Sequence, residues 1–214
     1  MRVLYIPVRQ NIDLSQFEKE IDKLPKRVGL VSTIQFIDSI REISRILKRK
    51  DKQVFISGQG MLLGCNLEAA TRIQDKVCAF LYLGSGNFHP LQLALALKKE
   101  KPIFTFNPLA GKLVKLDWRE VRKIKARQRG ARIKVLSSDK IGVLVSTKQG
   151  QCKLDEALKL KEKLEKQGKK IYLFLFDNFQ SEQLENWQDL AWLNTACPGL
   201  SLEQPKLYFS MGGY

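Results

Sequence analysis

Short apolar runs alternate with amphipathic stretches along most of the chain. Apolar runs at residues 3–6, 28–31, 54–57, 77–83, 103–106, 141–145, 171–176 and 190–193 each read as a strand. Between them, helical spacing appears at 14–24, 34–47, 67–73, 90–98, 154–166 and 184–187. In the 34–47 stretch Ile37, Ile40, Ile43 and Leu47 fall on one face. In the 154–166 stretch Leu154, Leu158 and Leu164 are expected to point inward, and Gly168 stops the helix. Strands that are apolar throughout and alternate with helices imply a parallel sheet covered on both faces. The predicted fold class is α/β, as two tandem small domains, each a mostly parallel sheet flanked by helices. The boundaries expected are 1–112 and 113–214, the second domain opening with a linker helix at 118–129.

Composition narrows the class. The chain has 214 residues, of which 44% are hydrophobic and 28% charged, which excludes disordered and collagen-like sequences. No apolar run approaches the roughly 20 residues of a membrane span. Residues 1–10 lack the apolar core and cleavage site of a signal peptide, so a cytoplasmic protein without a membrane partner is expected. Thirty-seven Lys and Arg against 22 Asp and Glu give a net charge of +15. Such a field favours an acidic partner, nucleic acid first among them, although a solvated surface gives the same sum. In the basic stretch at 118–129, Val121, Ile124 and Ala126 are interleaved with Arg and Lys. That pattern fits a nucleic-acid-binding element and equally a helix packed on one side.

The four cysteines, Cys65, Cys78, Cys152 and Cys197, show no CxxC spacing. Cys78 lies within an apolar run and is expected as a small buried filler. Cys152 sits at a strand-to-helix junction and reads as incidental. Cys65 and Cys197 occupy loops that follow strands, where functional residues of parallel sheets collect. The segment Gly84-Ser85-Gly86 follows another strand and precedes His89, the only histidine. It lacks the third glycine of a dinucleotide fingerprint. It reads as a tight turn, or as a set of backbone donors for a carboxylate or phosphate at a helix start.

Three segments resemble the archaeal diphthamide synthase family: Gly58-Gln59 through Gly64-Cys65-Asn66, then Leu81-Tyr82-Leu83-Gly84-Ser85-Gly86-Asn87-Phe88-His89-Pro90-Leu91, then Asn194-Thr195-Ala196-Cys197-Pro198. Weaker echoes occur at Thr33-Ile34-Gln35 and at 145–150, all in family order. The resemblance implies a non-standard radical enzyme with a 4Fe–4S cluster and S-adenosylmethionine. Such an enzyme transfers a 3-amino-3-carboxypropyl group to a histidine of translation elongation factor two, the first step of diphthamide biosynthesis. It also implies three α/β domains, each giving one thiolate to the cluster, with the remaining iron open to S-adenosylmethionine; thiolates are the soft ligands such clusters use. Cys65 and Cys197 match the second and third ligands. Gln59, Gly84, Ser85, Gly86 and His89 match the cofactor-binding segments, and no catalytic residue is assigned.

The first domain and its cysteine have no counterpart in these residues, and Gly199 stands where the family has arginine. A separate first-domain polypeptide or homologous subunit is therefore expected, in a homo- or hetero-oligomer. The alternative readings are a catalytically silent partner of such an enzyme and a basic RNA-binding α/β protein.

Overall fold

The computed structural model describes residue 4 and residues 6–209. The strand expected at 3–6 falls partly on residues outside that set. The chain divides into two compact units, Met1–Val121 and Arg122–Tyr214.

The first unit contains, in order, α1 (Ser15–Glu18), β1 (Arg27–Ser32), α2 (Ile40–Arg49), β2 (Gln53–Phe55), α3 (Glu68–Thr71), β3 (Ala79–Leu83), α4 (Phe88–Ala96), β4 (Ile103–Asn107) and β5 (Lys112–Lys115). The sheet order is β2-β1-β3-β4-β5. β1, β2, β3 and β4 are parallel, and β5 returns antiparallel to β4, pairing Phe106 with Leu113. β3 is buried at all five positions, as a strand covered on both faces must be. On one face Leu30, Leu81, Leu83 and Phe106 meet Ile37, Ile40, Ile43 and Leu47 of the helical stretch before β2. The stretch at 14–24 is not one helix but α1 followed by a 3-10 turn at Ile21–Lys23. Its apolar spacing still works, since Leu14, Phe17, Ile21 and Leu24 are all buried. The edge strand β5 escaped sequence reading because its pattern, Lys-Leu-Val-Lys, carries a single buried residue, Leu113.

The division between the units falls within α5 (Trp118–Ser137), after which the second unit holds β6 (Lys140–Ser146), α6 (Leu154–Glu165), β7 (Lys170–Phe176), β8 (Ala191–Asn194), α7 (Pro198–Glu203) and β9 (Leu207–Phe209). Its sheet is parallel throughout, in the order β7-β6-β8-β9. One face packs Ile141, Val143, Val145 and Leu193 against Ala157 and Leu164 of α6. The other packs Leu144, Trp192 and Leu207 against Leu184 and Leu190. Two sequence readings are corrected here. Leu158 is 46% exposed, because the inward stripe of α6 runs through Ala157 and Leu164 instead. In α5 the buried stripe is Val121, Ile124, Ala131 and Val135, spaced at three, seven and four residues, which turns Ala126 out to solvent.

Candidate functional site

In the first sheet β1 connects onward to β2 on one flank, while β3 connects to β4 on the other. The carboxyl ends of β1 and β3 therefore form a topological switch point, the place where open parallel sheets bind ligands. Two of the three candidate loops reach it. The loop after β2 folds back over the end of β1. There the Ser32 N–H donates to Gly60 O at 2.8 Å and the Leu62 N–H donates to Ser32 O at 2.7 Å. It then turns sharply. Leu63 and Asn66 exchange N–H···O bonds of 3.0 Å each way, which puts Gly64 and Cys65 at the tip of a two-residue hairpin. Cys65 is an exposed free thiol. Gln59 is exposed in the preceding turn, closed by Gly60 N–H to Ser57 O at 3.0 Å.

The second loop leaves β3 at Gly84 and enters α4 at Phe88, two residues before the expected helix start. Ser85, Gly86 and Asn87 are exposed. Gly86 has φ +70°, a conformation that side-chain-bearing residues adopt at a cost. Gly84 is required for a different reason. A Cβ there would stand 2.5 Å from the Tyr82 hydroxyl, because the tyrosine lies along the same face of the strand end. The loop and the Cys65 hairpin touch: a Cβ on Gly64 would stand 2.6 Å from the Phe88 ring. The N–H groups opening α4 have no intrahelical acceptor, and Pro90 in that first turn carries no N–H at all.

His89 is half-buried between two rings. It stacks on Tyr82 at 5.8 Å between centroids and meets Phe88 edge-on at 5.1 Å. The Tyr82 hydroxyl lies 3.3 Å from His89 Nδ1. Burial pushes the Tyr82 phenol up to about 12, against a smaller opposing hydrogen bond from Thr33, so it stays protonated. Burial also lowers the His89 pKa, which keeps the imidazole neutral near pH 7. Two tautomers fit this contact, with Tyr82 donating to Nδ1 or the Nδ1–H donating to Tyr82, and the neutral ring carries one N–H in either. Sequence reading gave Tyr82, Thr33 and Phe88 no role. Tyr82 and Phe88 lie inside a quoted motif, yet only the fold shows that they frame His89.

In the second unit the switch point lies between β6 and β8. Cys197 follows β8 and is the N-cap of α7, with Pro198 at the first helical position. Its loop is held by one side chain. Asn194 is fully buried; its Nδ2 donates to Cys197 O at 2.7 Å and lies 3.0 Å from Ser201 Oγ, while its Oδ1 accepts from the Ala196 N–H at 2.9 Å. The neighbouring Thr195 donates its N–H and its hydroxyl to Leu144 O in β6, at 3.1 and 2.9 Å. Cys197 is a partly exposed free thiol. Asn194 had no assigned role in sequence reading, although it begins the motif that ends in Cys197.

The remaining cysteines are placed differently from each other. Cys78 is exposed, not buried as expected: β3 begins one residue later, at Ala79. Its N–H bonds Arg27 O at 2.9 Å, and its Sγ lies 3.4 Å from Arg27 Nε. It therefore sits at the amino end of the sheet, the end opposite the Cys65 loop. Cys152 is exposed in the loop after β6, its N–H on Lys148 O at 2.9 Å, at the carboxyl edge of its sheet. Among the described residues, no group of three or more His, Cys, Asp or Glu side chains could hold a metal ion. No helix among them is long and apolar enough to cross a membrane.

These features define a doubly wound α/β protein with free thiols set in the loops at the carboxyl edges of two sheets, the first mostly and the second wholly parallel. The sequence model of the diphthamide synthesis protein family matches residues 1–210, and the chain belongs to that family. It is 29% identical over 212 residues to 2-(3-amino-3-carboxypropyl)histidine synthase of Pyrococcus horikoshii, covering 94% of this chain and 59% of that protein. Subunit 1 of the Schizosaccharomyces pombe enzyme of the same name is 28% identical, covering 95% of this chain and 49% of the relative. Among solved structures, Dph2 from Pyrococcus horikoshii with a 4Fe–4S cluster superposes with a TM-score of 0.74 at 29% identity, over 92% of this chain and 58% of that one. The chain thus spans half to three-fifths of the length of these relatives.

Proposed function

We propose that this chain is the part of a 3-amino-3-carboxypropyl transferase that supplies two of its three cluster thiolates, Cys65 and Cys197. The observation that carries this reading is the placement of the two thiols. Each lies in a loop at the carboxyl edge of its own sheet, free of protein partners and fixed by a dedicated set of hydrogen bonds. Free, accessible thiols are the donor chemistry a 4Fe–4S cluster takes. Two thiolates do not complete a three-cysteine site, so the third comes from polypeptide outside these 214 residues, a first-domain chain or segment. When bound, the reduced cluster supplies the electron that cleaves a carbon–sulfur bond of S-adenosylmethionine.

The residues of this chain bind and orient. The exposed 85–87 loop and the open N–H groups of α4 suit the carboxylate of S-adenosylmethionine, and Gly86 gives the backbone its approach. His89, neutral and buttressed by Tyr82 and Phe88, carries one N–H beside that loop. The acceptor is a histidine of translation elongation factor two, in the cytoplasm where that factor works. A steering field from the +15 chain would bring in an acidic partner and would weaken with salt.

The test is anaerobic reconstitution with and without a first-domain polypeptide, read as iron per chain and the electron paramagnetic signal of the reduced cluster. The full chain alone is expected to hold little or labile cluster, and the pair a stoichiometric one. In the pair, Cys65→Ala and Cys197→Ala each lose the cluster, while Cys78→Ala and Cys152→Ala retain it. Stoichiometric cluster in the chain alone would overturn the shared site and make Cys152 the first residue to test. Gly86→Val should abolish S-adenosylmethionine binding by the reconstituted pair in calorimetry; equal affinity would reduce the loop to a turn.

A further inference from the structure

The second unit has a cavity that the cluster chemistry does not use. It lies at the amino end of β8, the end opposite Cys197, and measures about 280 Å³. Trp187, Trp192, Lys134, Lys206, Glu185 and Gln188 contribute to its lining. The aromatic wall is fixed. Trp192 is 3% exposed, and a Cβ on Gly142 would stand 2.5 Å from its ring. Phe174 meets it edge-on at 4.9 Å and meets Trp187 edge-on at 5.3 Å. Trp187 itself is 48% exposed, a large flat surface left open to solvent.

Charge is concentrated beside this cavity. From Arg122 to Ser137, α5 carries seven Lys and Arg and no acid, while the rest of the second unit has ten cations and ten acids. The whole charge excess of the unit therefore lies on one helix. At 100° per residue, Lys123, Arg127 and Lys134 fall within about 40° of one another, spread along about 16 Å of helix. All three are exposed, and Lys134 lines the cavity.

We propose that the second unit binds single-stranded nucleic acid, with one base at the cavity on the exposed face of Trp187 and the adjoining phosphates on Lys123, Arg127 and Lys134. Each half of the surface constrains the ligand. The exposed ring of Trp187, backed by Phe174, takes a flat base, which stacks without regard to sequence. Gln188 offers a hydrogen-bonding edge at the same cavity, where Glu185 is paired with Lys206. The cation row is longer than a single nucleotide can span, so it calls for a run of phosphates. An acidic peptide would satisfy the row and leave the cavity empty. A duplex keeps its bases stacked on one another and could use only the row.

The experiment is fluorescence anisotropy of a labelled ten-nucleotide oligoadenylate RNA with the full chain, across a salt series. Binding is expected with a log–log salt slope of about −2, as three phosphate contacts on a single strand imply. Trp187→Ala should weaken binding about tenfold at an unchanged slope, with Trp187→Phe restoring most of the loss. Lys123→Glu with Arg127→Glu, two exposed positions that do not threaten folding, should weaken binding and flatten the slope toward −1. The proposal fails if no binding occurs, or if Trp187→Ala binds as tightly as the parent. It also fails if a duplex, polyglutamate or adenosine monophosphate competes as well as the unlabelled strand.

Discussion

The two cysteine loops meet one requirement by different means. Cys65 is held by backbone alone. Its hairpin is closed by a reciprocal pair of main-chain bonds and moored to β1 by two more, and its thiol stands exposed at the tip. Cys197 is held by a side chain, the buried amide of Asn194, which ties the loop before the cysteine to the helix after it. A backbone hairpin tolerates most side-chain changes and is sensitive only where glycine permits close approach. A side-chain clamp concentrates the whole loop's order in one residue.

The sharpest way to break that contrast uses the two asparagines. Asn194→Ala removes a buried amide that serves three groups, two of them in fully buried bonds, so about 2–3 kcal/mol of stability should be lost. Asn66 flanks Cys65, and its side chain accepts the exposed Glu68 N–H at 3.0 Å. Asn66→Ala should cost about 0.5 kcal/mol, the scale of a solvent-exposed local bond. Chemical denaturation of both variants measures the difference. Equal costs would mean that the Cys197 loop does not depend on its clamp.

A smaller effect separates the two glycines of the 84–89 loop. Gly84→Ala forces a methyl against the hydroxyl of Tyr82, which is 1% exposed and cannot swing away, so about 1–3 kcal/mol should be lost. Gly86→Ala meets open space and costs only its left-handed conformation, about 1 kcal/mol. Thermal melts rank the pair. If Gly86→Ala proves the costlier, the loop is tighter than its contacts show.

Much of this was legible in the sequence, for identifiable reasons. The parallel strands announced themselves because burial on both faces requires unbroken apolar runs, as in Phe80–Leu81–Tyr82–Leu83. Edge strands β5 and β9 bury too little for such a run. The Cys65 and Cys197 loops stood out through their motifs and their position after strands. Cys78 was misread because one residue at a strand's entry separates a buried filler from an exposed thiol. The Asn194 clamp and the Tyr82–His89 pair were not legible as such, since both are relations between side chains that only the folded turn brings together.

The smallest predicted effect is one of pH, and it should appear in only one of the two loops. His89 is the sole histidine, so no other imidazole can mask it, and the Cys197 loop has none. Burial lowers its folded pKa, while in the unfolded chain the group returns to about 6.5. Between those two values the unfolded chain binds more protons than the folded one, so stability rises with pH across that window. The contribution is fully present above about 6.5 and is lost as pH falls through the lowered folded value. Because half the ring still sees water, the slope is shallow. Urea unfolding from about pH 5 to pH 8 should show it, and His89→Gln should remove it while leaving the carboxylate titrations at lower pH. Amide exchange at residues 84–91 should quicken on acidification beyond its intrinsic pH dependence, while residues 194–200 should follow that dependence alone. If the His89→Gln variant keeps the parent's slope, or if both loops loosen together, the imidazole is not what distinguishes them.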